Sequence, residues 1–124
     1  FFQSNSATAS GGAIYLGGES FTVITNITCS ENSATSGSGG CLSAEEFSTA
    51  DIMISEFRNN TAENGGGISL KGKASILLLD SNFLQNIANS GGGIFAAGDT
   101  SADIGRCYFG ENNILESGGG GFFS

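Results

Sequence analysis

Phe57-Arg58-Asn59-Asn60-Thr61-Ala62 returns 26 residues later as Phe83-Leu84-Gln85-Asn86-Ile87-Ala88. The same pattern stands earlier as Phe2-Gln3-Ser4-Asn5-Ser6-Ala7 and later, more loosely, as Phe109-Gly110-Glu111-Asn112-Asn113-Ile114. A fifth copy, Cys29-Ser30-Glu31-Asn32-Ser33-Ala34, carries cysteine in place of phenylalanine. The asparagines at 5, 32, 60, 86 and 112 are therefore spaced by 27, 28, 26 and 26 residues. A few residues after each comes a glycine cluster and a short apolar segment: Gly11-Gly12-Ala13-Ile14, Gly39-Gly40-Cys41-Leu42, Gly66-Gly67-Ile68, Gly92-Gly93-Ile94 and Gly120-Gly121-Phe122. A third apolar column, Ile24, Ile52, Leu78 and Ile104, lies five residues before the Phe/Cys column. Self-similarity at a fixed period of this length is the mark of a stacked-repeat architecture.

The apolar stretches of each repeat are short and rich in β-formers, as in Phe21 to Ile27, Ile52 to Ile54 and Ile76 to Leu79. None sustains the i, i+3, i+4, i+7 pattern over the length a helix needs. The interruptions are Gly, Asn and Ser, which suit turns and left-handed backbone. A leucine-rich repeat has a comparable period but needs a leucine ladder that is missing here. The pattern predicts an all-β, right-handed, single-stranded parallel β-helix of about four and a half coils, each of 26–28 residues with about three short strands. Coils stack at the ordinary strand spacing of about 4.8 Å, so equivalent residues form ladders. Phe2, Cys29, Phe57, Phe83 and Phe109 then make an interior column, each ring worth about 1.5–3 kcal/mol on burial. Ile24, Ile52, Leu78 and Ile104 fill another wall of the core. Asn5, Asn32, Asn60, Asn86 and Asn112 fall at a corner, where their amides bond to neighbouring coils or cap the bend. Proline would break the bonds between coils, and the chain has none.

Composition narrows the function. The chain has 124 residues, of which 21 are glycine, more than twice the usual share of about 7 per cent. Twelve acidic residues against four basic ones give a net charge of -8. Phosphate neutralisation needs clustered Lys and Arg, so the balance argues against nucleic acid as a partner. The absence of histidine excludes a Ser-His-Asp triad, a Cys-His pair and histidine-ligated zinc. No apolar run is long enough to insert in a membrane as a helix. Glycines in clusters rather than at every third residue exclude collagen.

Some β-helix proteins cleave polysaccharides, so the carboxylates were weighed. Asp51 and Asp103 occupy one repeat position two coils apart, and Asp80 and Arg106 share another on adjacent coils. A glycosidase needs two carboxyls within about 5–10 Å. The competing account is a solvated salt bridge between coils, worth about 0–1 kcal/mol, and it is preferred. The calcium-binding nonapeptide Gly-Gly-x-Gly-x-Asp is absent, and no Lys-Ser/Thr follows a glycine cluster as a phosphate loop requires. No catalytic, cofactor or metal residue is therefore assigned. Cys29 and Cys41 both replace core residues of one coil, and the sequence leaves open a disulfide or two buried thiols. Cys107 stands where Ile27, Ser55 and Ser81 stand in other coils and is expected to be a buried free thiol. Two sequons, Asn26-Ile27-Thr28 and Asn59-Asn60-Thr61, are candidate N-glycosylation sites in a eukaryotic secreted protein. Asn59, beside a ladder asparagine, is the one expected to point outward.

The paired signatures Phe-x-x-Asn and Gly-Gly-Ala-Ile resemble the repeats of the chlamydial polymorphic outer membrane proteins. The likeness is literal at Phe2 to Asn5 with Gly11 to Ile14, and at Phe57 to Asn60, Phe83 to Asn86 and Phe109 to Asn112. Three of the five copies carry Gly-Gly-Gly where that family prefers alanine third. The resemblance implies a secreted β-helical passenger, exposed at the cell surface, with an adhesive and non-catalytic role. The expected partners are host or matrix surface molecules or glycans. The sequence opens inside one repeat and stops inside another, so segment 1–124 is expected to be one β-helical repeat segment: part of a longer solenoid, or a subunit of a filament or appendage. Flanking repeats or other copies would then meet its open ends, because uncapped solenoid ends are unpaired β edges. The alternative is a carbohydrate-binding or carbohydrate-active β-helix, which uniform repeat lengths disfavour by leaving little chain for a groove.

Overall fold

The computed structural model describes residues 1–116 and 118–123, with only the backbone of Phe123. No described residue is helical. The first coil carries β1 (Phe2–Gln3), β2 (Ser6–Ala7), β3 (Ile14–Leu16) and β4 (Phe21–Thr25), and the second β5 (Thr28–Ser30), β6 (Ser33–Ser38), β7 (Leu42–Ala44) and β8 (Thr49–Met53). The third repeats the order with β9 (Glu56–Arg58), β10 (Thr61–Asn64), β11 (Ile68–Leu70) and β12 (Ser75–Leu79). The fourth does so with β13 (Asn82–Leu84), β14 (Ile87–Ser90), β15 (Ile94–Ala96) and β16 (Ser101–Gly105). A partial fifth adds β17 (Tyr108–Gly110), β18 (Asn113–Ile114) and β19 (Phe122–Phe123). Every strand pairs in parallel with its equivalent in the neighbouring coils, and the result is a parallel β-solenoid.

Each of the first four coils has four strands rather than the three expected, so the solenoid has four sheets. Sheet A (β1-β5-β9-β13-β17) carries the phenylalanines, and sheet B (β2-β6-β10-β14-β18) follows the asparagines. Sheet C (β3-β7-β11-β15-β19) follows the glycines, and sheet D (β4-β8-β12-β16) carries the isoleucine column. Sheets C and D hold the apolar segment after the glycines and the Ile24 column, and a further corner divides them. That corner is in left-handed backbone at Gly18, Glu46, Gly72 and Gly98.

All four corners use such a residue. Sheets A and B meet at Ser4, Glu31, Asn59, Gln85 and Glu111, and sheets D and A at Asn26, Ile54, Asp80 and Arg106, all with φ between 50° and 59°. The corner from B to C takes glycine alone, at Gly11, Gly39, Gly65 and Gly91. The reason is local: a Cβ on Gly39 or Gly65 would run into the carbonyl oxygen of Leu42 or Ile68 of the same turn. The corner from C to D is open at Gly18, where a Cβ meets nothing nearer than 3.8 Å, and close at Gly72 and Gly98, and its second coil carries Glu46.

Side chains alternate across each strand. Ile76 and Leu78 point into the core while Leu77 and Leu79 are half-exposed. The core is one cluster running the length of the solenoid, from Leu16 and Ile24 through Phe57, Ile68 and Leu78 to Phe83 and Ile94.

Candidate functional site

The repeat residues form continuous ladders. Phe2 pairs with Cys29, Cys29 with Phe57, Phe57 with Phe83 and Phe83 with Phe109. Coil spacing sets the rings nearly parallel, with centroids 4.7 Å apart for Phe57 and Phe83 and 4.9 Å for Phe83 and Phe109. Phe57 and Phe83 are fully buried, while Phe2 and Phe109, in the outer coils, are partly so. Ile24, Ile52, Leu78 and Ile104 are in register along sheet D.

The asparagine column is a hydrogen-bonded chain at the corner between sheets A and B. The backbone N–H and the Nδ2 of Asn60 both donate to Oδ1 of Asn86, at 3.1 and 3.0 Å. The second Nδ2 proton reaches the carbonyl of Cys29 one coil back, at 2.9 Å. Oδ1 of Asn60 in turn accepts both N–H groups of Asn32. The pattern runs unbroken from Asn5 to Asn112. Asn32, Asn60 and Asn86 are buried and their amides are satisfied from both sides. Aspartate cannot replace them, because the ladder requires donors as well as acceptors on each side chain.

Cys29 and Cys41 form a disulfide across the core, with Cα atoms 6.1 Å apart and both residues fully buried. Cys107 is a free thiol, half-buried rather than buried, that donates weakly to the carbonyls of Gly105 and Leu78. Partial burial pushes its thiol above the ordinary value.

The carboxylates that the repeat pattern singled out are an exposed ion pair and two aspartates in register on sheet D. Arg106 donates from Nε and Nη2 to the two oxygens of Asp80, at 2.6 and 2.9 Å, in a pair exposed to solvent. The guanidinium holds the Asp80 carboxyl below its usual range. Asp103 lies on sheet D in register with Leu77 and takes no part in that pair. Asp51 also pairs with Leu77, from the other side, so a leucine stands between the two equivalent aspartates. A second acidic group, which the repeat pattern did not single out, lies at the corner from C to D. There Tyr15 donates to Glu45, Ser43 donates to the other Glu45 oxygen, and Glu46 accepts from the Gly18 N–H. The Glu45 carboxylate raises the Tyr15 phenol above its ordinary value. Among the described residues no group of three or more His, Cys, Asp or Glu is placed to hold a metal ion.

Asn26 and Asn59 are both exposed, each at a left-handed corner with φ of 56° and 53°. Position alone therefore does not separate the two sequons, as both asparagines face solvent.

Residues 1–17 and 54–71 match the model of the Chlamydia polymorphic membrane protein repeat. Over these two segments the chain resembles a polymorphic membrane protein-type repeat. The matched segments hold the first and third copies of Phe-x-x-Asn with their glycine clusters. The same structural unit continues beyond them: the second copy is sandwiched in register between the two and the fourth stacks on the third. No curated protein and no solved structure matches the chain.

Proposed function

We propose that this chain is a non-catalytic structural and adhesive module, displayed outside the cell on a surface protein or appendage. The observation that carries the proposal is the shortness of the corners. The longest connection in the first four coils runs only from Thr8 to Ala13. With so little chain outside the sheets, the outer surface consists of flat strand faces and the molecule offers reach and contact area rather than a walled cleft. A disulfide in the core suits an oxidising, extracellular setting. The polymorphic membrane protein repeat supports a surface location.

Partners of two kinds follow. Host or matrix surface molecules or glycans would contact the strand faces. A further coil, from flanking repeats or another copy, would seat on the apolar groove that Phe2, Ile14, Ile24 and Ile27 line on the first coil.

The test uses beads coated with the chain, counted on epithelial monolayers, immobilised matrix proteins and a glycan array against albumin-coated beads. In parallel the chain is incubated with acidic and neutral polysaccharides and assayed for new reducing ends or unsaturated products. Adhesion without cleavage is expected. Release of cleaved sugar overturns the non-catalytic reading, and bead counts at the albumin level on every surface overturn the adhesive one. Glycan binding abolished by Tyr15→Ala would move the reading to the carbohydrate-binding alternative.

A further inference from the structure

We infer that the outer face of sheet D is a docking surface for a cationic amphipathic helix of a partner protein. The inference rests on this face and not on the adhesive reading above. Its outward residues follow from alternation against the buried Ile24, Ile52, Ile76 and Leu78. Phe21 and Val23 are well exposed, at 64% and 57%, and Met53, Leu77 and Leu79 add half-exposed apolar side chains in the next two coils. Ile54 adds another at the adjoining corner, 61% exposed. Met53 and Leu79 are neighbours in register, while Asp51 stands between Val23 and Leu77, so exposed apolar side chains are interleaved with carboxylates across the face.

Charge selects the occupant. The outward positions of β4, β8, β12 and β16 include two carboxylates, Asp51 and Asp103, and no cation. Of the cations beyond the strands, Arg58 pairs with Glu56, Arg106 is neutralised by Asp80 in the corner column of Ile54, and Lys71 and Lys73 stand at the corner from C to D, Lys73 over the Phe47 ring. A second copy of this acidic chain would bring like charges together, whereas a basic segment is attracted to the face.

Geometry selects the helix. Down the middle of the face the register sets Val23, Asp51, Leu77 and Asp103 in one line. Apolar and acidic side chains thus alternate at intervals of about 4.8 Å, at roughly 0, 4.8, 9.6 and 14.4 Å. Helix positions i, i+3, i+7 and i+10 lie along one stripe at about 0, 4.5, 10.5 and 15 Å. An extended strand, rising about 3.3 Å per residue with alternate side chains on opposite faces, does not match this spacing. A helix lying along the solenoid axis, apolar at i and i+7 and Lys or Arg at i+3 and i+10, matches both the spacing and the charge.

The experiment titrates the chain with a labelled alanine-based helical peptide bearing Leu at i and i+7 and Lys at i+3 and i+10. Controls replace Lys by Glu, or move the same residues off the stripe. Saturable binding is expected, weakened at least tenfold by Leu77→Ser and by Asp51→Asn with Asp103→Asn. Removing the same charge elsewhere, by Glu63→Gln with Glu116→Gln, should change affinity less than twofold. All variants carry outward positions, and a far-UV spectrum unchanged from the parent shows that each is folded; Met53→Thr serves if Leu77→Ser is not. Absence of saturable binding overturns the inference. So does equal binding of the rearranged or acidic peptide, or equal weakening by the two charge-removing pairs, which would show diffuse electrostatics alone.

Discussion

Ile54 occupies left-handed backbone, φ 52°, in the corner column it shares with Asn26, Asp80 and Arg106. A β-branched side chain there crowds its own carbonyl at a cost of about 1–2 kcal/mol, while asparagine tolerates the conformation. Its side chain is exposed, so little burial offsets that cost. Ile54→Asn should therefore stabilise the solenoid by about 1 kcal/mol, seen as a higher urea midpoint; a lower midpoint would show that Ile54 packs usefully. The disulfide offers a second test at this scale. Sites across the core from the phenylalanines are glycines where the ring is close: a Cβ on Gly67 would sit 2.9 Å from the Phe83 ring, and one on Gly121 3.3 Å from the Phe109 Cβ. In the second coil the same two columns hold Cys29 and Cys41, joined to each other, where the third and fourth coils hold Phe57 with Gly67 and Phe83 with Gly93. Cys29→Ala with Cys41→Ala removes both the bond and the filling, at a cost of about 3 kcal/mol or more. Cys29→Phe with Cys41→Gly installs the residues of the third and fourth coils and should recover more than half of that loss. Equal instability of the two double variants would sink the equivalence.

Among the elements, the asparagine ladder carries the sharpest energetic consequence. Truncating Asn60 to alanine strips partners from the Asn32 N–H, the Asn32 amide and the Cys29 carbonyl, all in a buried corner. Each orphaned buried group costs about 1–3 kcal/mol, so Asn60→Ala should cost at least about 3 kcal/mol. Asn5 is exposed and accepts no ladder bond from the described coils, and Asn5→Ala should cost less than half as much. Similar costs from denaturant titration of the two variants would mean that the ladder does not act as a cooperative unit. These columns were legible in the sequence because stacking demands the same side chain in every coil, as at Phe57 and Phe83 or Asn60 and Asn86. The fourth strand was not. What separates sheet C from sheet D is a backbone conformation, and Gly18, Glu46, Gly72 and Gly98 share it without sharing a residue type. The corner between D and A is still more varied, since exposed corners select conformation and leave the side chain free. The docking face was half-legible: Asp51 and Asp103 stood out as equivalent positions, but Val23 and Leu77 fall in line with them only once register and alternation are fixed.

Over the whole molecule each coil contacts only its neighbours, so stability is the sum of coil terms and interface terms along one axis. The middle coil, β9 to β12, has neighbours on both sides and holds the fully buried Phe57, Asn60, Ile68 and Leu78. The coil before it is closed by the Cys29–Cys41 disulfide. In this chain, then, hydrogen-exchange protection should peak in β5 to β12 and decline toward β1 and toward β17. A break in the Phe column tests the one-dimensional picture directly. Phe83→Ala removes a fully buried ring stacked between Phe57 and Phe109, at a cost of about 3–5 kcal/mol. In a globular core that loss would be felt everywhere. Here it weakens the interfaces of one coil, so β13 to β19 should exchange much faster while β5 to β8, behind the intact third coil, keep most of their protection. Uniform acceleration across all coils would instead show that the solenoid unfolds as a single cooperative unit, with the four sheets rather than the coils as its structural currency.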